Sequence, residues 1–297
     1  MNWLLIALYP EAWRKRYAEE IAALLHDDPP GVRGRLDLVR GAFRAHLTPI
    51  AGLSSTVRAS NTLTACLACF IGFCLVGAGF AKATEDEVFV RAADAHPLLN
   101  DAHQAVVAGA LAGLLLLAIA ALPLGGLTVA RVARTRDRRL LGLMTIPLAA
   151  VGTLAVCVGL LAVWLDHHRG GAGAGGWSLF GLCVAVTLTA AVACWAAPRA
   201  ILRRLAPPIG ALRPSLLATA ALSAAMIATT AAVGVYLVAM LADAPALASS
   251  ANGPLALAST TELIGAQLAP MVLLSVLATT SVRRGLRACE PQGVAQA

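Results

Sequence analysis

Six apolar blocks, at about 61–81, 104–129, 141–165, 177–197, 215–241 and 262–282, dominate the hydrophobic pattern of the chain. Each is about 20 residues or longer, enough for a helix to cross the ~30 Å hydrocarbon layer of a bilayer. Backbone polar groups in lipid need partners within their own segment, and at this length only a helix supplies them. The pattern predicts an all-α polytopic membrane protein with six transmembrane helices, occupying about 59–283, and a short tail at 284–297. Residues 1–58 follow a different rule. Trp13, Tyr17, Ile21, Leu24 and Leu25 recur at helical spacing, and Glu11–Lys15, Lys15–Glu19 and Arg16–Glu20 form i,i+4 pairs. Asp27-Asp28-Pro29-Pro30-Gly31 interrupts that helix. Leu36, Val39, Phe43 and Leu47 then mark one face of a second helix over about 34–47. The segment reads as an amphipathic helical hairpin at the membrane surface or in the cytoplasm.

Composition agrees with the blocks. The chain is 59% hydrophobic and 13% charged, with a mean hydropathy of +0.76; a soluble domain carries about a quarter charged residues. The net charge of +7 is nearly all arginine, and its placement sets the expected orientation. Arg131, Arg134, Arg136, Arg138 and Arg139 fall between the second and third spans, and Arg199, Arg203, Arg204 and Arg213 between the fourth and fifth. With Arg283, Arg284, Arg287 and the basic residues of the first 60 positions, 20 cations belong to one side; Lys82, Arg91 and Arg169 alone belong to the other. The positive-inside rule places both termini in the cytoplasm of a bacterial cytoplasmic membrane. It also accounts for the basic pI without nucleic acid, which is not expected as a partner. The opening residues lack a basic n-region and their apolar run ends at Pro10, so no secretory signal peptide is expected.

The predicted spans hold little chemistry. No Asp, Glu, Lys, Arg or His lies near the middle of any of them, which argues against a proton relay or a haem between helices. Glu262 and Gln267, in the outer half of the sixth span, are the nearest exceptions; Glu262 reads as a carboxylate at a helix N-terminus. The predicted outer face holds His96, His103, His167 and His168 near Asp94, Asp101 and Asp166. Imidazole with carboxylate is the chemistry of a Zn²⁺ or Cu²⁺ site, so these histidines are the metal candidates, although their spacing fits a solvated acidic loop better. Asp101 with Gln104 reads as an N-cap and its box partner opening the second span. None of the seven cysteines falls in a predicted outer loop, so no disulfide framework is expected, and Cys66-x-x-Cys69 lies where cysteine acts as a small hydrophobe. The glycine run at 170–176 follows no strand and reads as a flexible turn. No cofactor and no catalytic residue is expected.

Ala68-x-x-x-Gly72 and Gly109-x-x-x-Gly113 permit close helix contact, within the chain or in a homo-oligomer. Pro123, Pro147 and Pro270 are expected to kink their helices.

Tyr9-Pro10-x-x-Trp13-Arg14-x-Arg16-Tyr17-x-Glu19-Glu20, followed by Asp37-Leu38-Val39-Arg40-Gly41-Ala42-Phe43-x-Ala45-His46, resembles the helical permease-prefix segment. That segment precedes the membrane parts of some bacterial ABC-type permeases and begins many actinobacterial membrane proteins, some associated with transcriptional regulators. Ala18 stands where the segment usually has glycine. The resemblance covers about 40 residues and implies a docking or signalling helix pair rather than a catalytic site; Trp13, Arg14, Arg16, Tyr17, Arg40 and Phe43 are its candidate partner-binding residues. Besides the lipid bilayer, the implied partner is a cytoplasmic regulator or an ATPase subunit. The expected function is a regulatory or accessory membrane protein whose hairpin docks that partner. The alternative is the permease subunit of an ABC-2-like exporter, which six spans, an amphipathic prefix and an apolar outer segment at 242–261 would suit. A membrane enzyme acting on lipid or isoprenoid substrates, built on the outer Asp/His set, ranks third.

Overall fold

The computed structural model describes residues 6, 9, 11–27, 31, 33–34, 37–38, 41, 54–167, 174–249 and 259–289. The elements are helices α1 (Glu11–Asp27), α2 (Ser55–Ala83), α3 (Glu87–Ala95), α4 (Pro97–Thr135), α5 (Arg138–His167), α6 (Ala174–Leu205), α7 (Ile209–Asp243), α8 (Pro245–Ala248) and α9 (Thr260–Ala288). Six of them, α2, α4, α5, α6, α7 and α9, are long and apolar enough to cross a membrane. The protein is thus an all-α, multi-pass membrane protein. Each predicted span lies inside one of these helices, but the helices run further. α4 has 39 residues, about 58 Å at the α-helical rise, and α9 continues through residues 284–288, which the hydrophobic pattern assigns to a tail.

The ends explain the extra length. Pro97 sits at the first position of α4, where its fixed φ suits a helix start and its missing N–H is no loss. Asp101 therefore lies in the second turn and is not the N-cap that its spacing with Gln104 predicts. Arg136, in the left-handed region at φ 53° and ψ 32°, ends α4. Asp137 then opens α5, its Oδ1 accepting from the Arg139 N–H at 3.0 Å and the Leu140 N–H at 3.3 Å. Ser259 caps α9 in a capping box with Glu262. The helices continue through Pro123, Pro147 and Pro270.

The chain divides into two compact units, Met1–Arg58 and Ala59–Ala297. Within the second, α2, α4, α7 and α9 form an antiparallel four-helix bundle. Its register is set by close approaches at matched heights. Gly72 and Gly79 of α2 face Leu274 and Gln267 of α9, while Thr62 faces Gly285. Gly109 of α4 faces Thr229 of α7, and Gly113 sits under Phe70 and Leu222. α7 is the most enclosed helix; Leu212, Leu222, Met226, Val233, Tyr236 and Met240 are all buried. Several buried hydroxyls of the bundle turn back onto their own helices, as Thr219 does to the Leu216 carbonyl, Ser223 to Ala220 and Thr229 to Ala225, all at 2.8 Å; Thr62 instead donates to the Ser281 carbonyl of α9 at 3.4 Å, and the buried Ser215 hydroxyl has no partner. Thr230 also bonds back, to Met226, and meets Ser275 across the α7–α9 contact at 3.1 Å.

α5 and α6 stand apart as a hairpin. Leu140, Leu143, Pro147, Ala150, Leu154, Cys157, Leu161 and Trp164 form the buried or half-buried seam of α5, a 3-4 spacing that gives antiparallel knobs-into-holes contact. Leu179, Cys183, Val186, Ala190, Ala193 and Ala197 answer it on α6. The apolar windows of these helices are only 6% and 11% buried, against 39% for α2 and for α7. Nearly all of their surface is therefore left to lipid.

In the first unit, Tyr9 stacks on Trp13 with ring centroids 3.9 Å apart, and Trp13 lies 5.3 Å from Tyr17. The Tyr9 hydroxyl donates to the Leu38 carbonyl at 3.0 Å, tying α1 to the segment that follows it. Burial pushes the Tyr9 phenol above its usual value, which keeps it protonated as a donor. Tyr9→Phe removes this tie at a cost of about 1 kcal/mol. Hydrogen exchange in α1 should then run about fivefold faster, and an unchanged rate would show that the stack alone holds the unit. The predicted apolar stripe is only partly used: Leu25 is buried, whereas Leu24, one residue earlier and about 100° around the helix, is 66% exposed. Leu36, Val39, Phe43 and Leu47 lie outside the described residues.

Candidate functional site

One end of the bundle carries the acidic stretch at 85–101, which includes α3 and the first turn of α4, and the other carries the arginines of 131–139, 203–213 and 283–287. Polar side chains from different helices converge near the acidic end. Phe80 of α2, His103 of α4 and Tyr236 of α7 form an aromatic triangle. Phe80 meets Tyr236 edge-on at 5.2 Å and 83°, and His103 lies 6.2 Å from Tyr236 and 6.4 Å from Phe80. Phe80 and Tyr236 are each 1% exposed, while His103 is half-buried. Gln267 of α9 enters at the same height, with its amide nitrogen against Gly79; a Cβ there would lie 2.9 Å from Nε2. Its Oε1 is buried with no hydrogen-bond partner.

Local structure places these groups. Gly79 has no side chain, so the Gln267 amide fits against the α2 backbone. Thr84 closes the end of α2 by donating to the Phe80 carbonyl at 3.0 Å. α3 folds over this end with Phe89 buried, and the first turn of α4 buries Leu99 in the same core. α8 is tied to α9 by the Thr261 hydroxyl, which donates to the Ala248 carbonyl at 2.9 Å. An imidazole, a phenol and a carboxamide in apolar surroundings can hold a small polar group by hydrogen bonds. They do not form a nucleophile–base–orienter arrangement.

The other predicted site residues are distributed differently. Glu262 is exposed, its carboxylate accepting from the Ser259 N–H at 2.8 Å and the Ser259 hydroxyl at 3.0 Å, so it is committed to the cap. His96 is the residue before α4, with no side-chain cap bond. His167 is exposed and its Nδ1 meets the Val163 carbonyl at 2.8 Å; the side chain of Asp166, and His168, lie outside the described residues. Asp94 and Asp101 are exposed. Among the described residues no three His, Cys, Asp or Glu side chains come together as a metal would need. Of the hairpin candidates, Trp13 and Arg14 are half-buried and Tyr17 is exposed; the Arg14 Nε is buried without a hydrogen-bond partner. The Arg16 side chain, Arg40 and Phe43 lie outside the described residues.

Phe80 and Tyr236 go unmarked in the sequence. Each sits in an apolar run in which an aromatic residue is unremarkable, and only the antiparallel register brings them to His103. Gln267, as a polar residue inside a span, and His103, named as a metal candidate, are the signals that point to this place. No protein-family model matches the chain, and neither a curated protein nor a solved structure matches it.

Proposed function

We propose that this is a membrane-embedded regulatory or accessory protein whose N-terminal unit, Met1–Arg58, docks a cytoplasmic protein partner. What carries the reading is that unit. It is a compact body distinct from the bundle, held by the Tyr9–Trp13 stack with Tyr17 tilted against it and by the Tyr9–Leu38 bond, and it leaves Leu24 exposed beside buried Leu25. The bundle supports it from the other direction. The buried hydroxyls of Thr219, Ser223, Thr229 and Thr230 bond back to their own helices, and among the described residues no charged side chain is fully buried in it, a pattern that does not mark an ion path. The link at the arginine-rich end between α4 and α5 is only Arg136 and Asp137, and that between α6 and α7 only 206–208. Neither has room for the coupling helix that an exporter subunit would present to an ATPase.

Co-purification from native membranes tests this, comparing the full chain, a chain lacking residues 1–47, and Leu24→Asp. Leu24 is 66% exposed, so its replacement should spare the fold and release the partner as fully as the truncation does. A transcriptional or sigma-type regulator lost from both variants supports the proposal. An ATPase lost from both would transfer the reading to an exporter, and identical partner sets in all three samples would overturn docking by this unit.

A further inference from the structure

Two cysteines from different helices meet in the α5–α6 seam. The Sγ atoms of Cys157 and Cys183 lie 2.9 Å apart, and the Cys183 thiol also lies 3.5 Å from the Cys157 carbonyl. Both are free and buried, at 8% and 6% exposure. Their positions follow from the spacing of the seam. Cys157 is one of the 3-4 contact positions of α5 and Cys183 of α6, so the packing that makes the hairpin points the thiols at each other. The other buried cysteines differ. Cys66 and Cys69 lie one turn apart on a single helix, and the Cys66 thiol donates across to the Ala278 carbonyl at 3.7 Å. Closing a bond between Cys157 and Cys183 needs a movement of less than about 1 Å along the line joining the sulfurs, which two packed helices with little else against them can supply.

We propose that Cys157 and Cys183 are a redox-modifiable dithiol that closes to a disulfide linking α5 to α6. Two S–H bonds break and one S–S bond forms; two electrons and two protons leave. The sulfurs lie within the apolar stretch of both helices and are shielded from water, so the acceptor must be lipid-soluble and take up both. A quinone, reduced to its quinol, has that chemistry. Cys157 and Cys183 stay together in either state, but in the disulfide the hairpin loses the freedom of α5 to slide or rotate against α6. Because little of this hairpin packs on the bundle, the cross-link acts on the most independent element of the membrane domain.

The test uses the full chain in membranes treated with duroquinone, whose ring is fully substituted and does not add thiols. After denaturation, a polyethylene-glycol maleimide counts free cysteines by gel shift. Five of the seven cysteines should be labelled after quinone and all seven after a reductant. Cys157→Ser and Cys183→Ser should each label at their six remaining cysteines with or without quinone, while Cys66→Ser should still lose two. Seven labels in the quinone-treated wild type, or a quinone-dependent loss that survives Cys157→Ser, overturns the assignment.

Discussion

Gly109→Leu should leave no folded bundle to purify, and Gly109→Ala should lower the unfolding midpoint in detergent by the equivalent of about 1–3 kcal/mol. The reason is the backbone approach of α4 to α7. A Cβ built at Gly109 runs into the Thr229 side chain, at 3.2 Å from its Cβ and closer still to its hydroxyl oxygen. Thr229 has little freedom to withdraw, because that hydroxyl is bonded to the Ala225 carbonyl at 2.8 Å and a β-branched side chain in a helix is confined in χ1. A full leucine side chain must push the two helices apart along the most extensive contact in the bundle. Thr229→Ala supplies the internal control, since it vacates the space that the new methyl needs. Gly109→Ala combined with Thr229→Ala should recover much of the loss, and strict additivity of the two changes would show that they do not meet. Gly152 and Gly159 of α5 have nothing within 4 Å of an added Cβ. Alanine there should leave the midpoint unchanged or raise it slightly.

This contrast marks the limit of what the residue pattern conveys. The Gly109–Gly113 spacing announces that something comes close to α4, and the structure shows two partners, Thr229 and Phe70. Nothing in the spacing tells α4 apart from α5, whose glycines face away from the protein. A soluble helix reveals its buried side as an apolar stripe, but a helix in lipid is apolar all round, and core and lipid faces look alike. The six spans were therefore legible from length and hydropathy, and their hairpin order from the short connections. The closing of α2, α4, α7 and α9 around one another, with α5 and α6 outside, was not. The same blindness hides the seam of Cys157 and Cys183, since the exposed Leu148, Val156 and Leu160 of α5 are as hydrophobic as the residues it buries. At the helix ends, where polar chemistry returns, single residues mattered more. Glu262 was readable as a capping carboxylate, whereas Asp101 was misassigned because Pro97 starts the helix one turn earlier.

Gln267→Leu should stabilise the protein, raising its unfolding midpoint by the equivalent of about 1 kcal/mol or more. Natural bundles seldom retain a buried acceptor without a partner, and one such group costs about 1–3 kcal/mol. The Gln267 Oε1 is in that condition. Leucine is near in size, keeps the contact with Gly79 and removes the amide, so the site gains packing without losing a bond. Gly79→Ala acts in the opposite direction by intruding 2.9 Å from the amide nitrogen, and should lower the midpoint. Should Gln267→Leu instead destabilise, its amide must hold a partner in the membrane, and His103 and Tyr236 at the same height are the groups to replace next. A stabilising result carries the stronger implication. Thr219, Ser223, Thr229 and Thr230 of the same bundle are satisfied by their own helices, whereas the Gln267 Oε1, like the Ser215 hydroxyl, has no partner. Stabilisation would show that this amide costs the fold more than its contacts return.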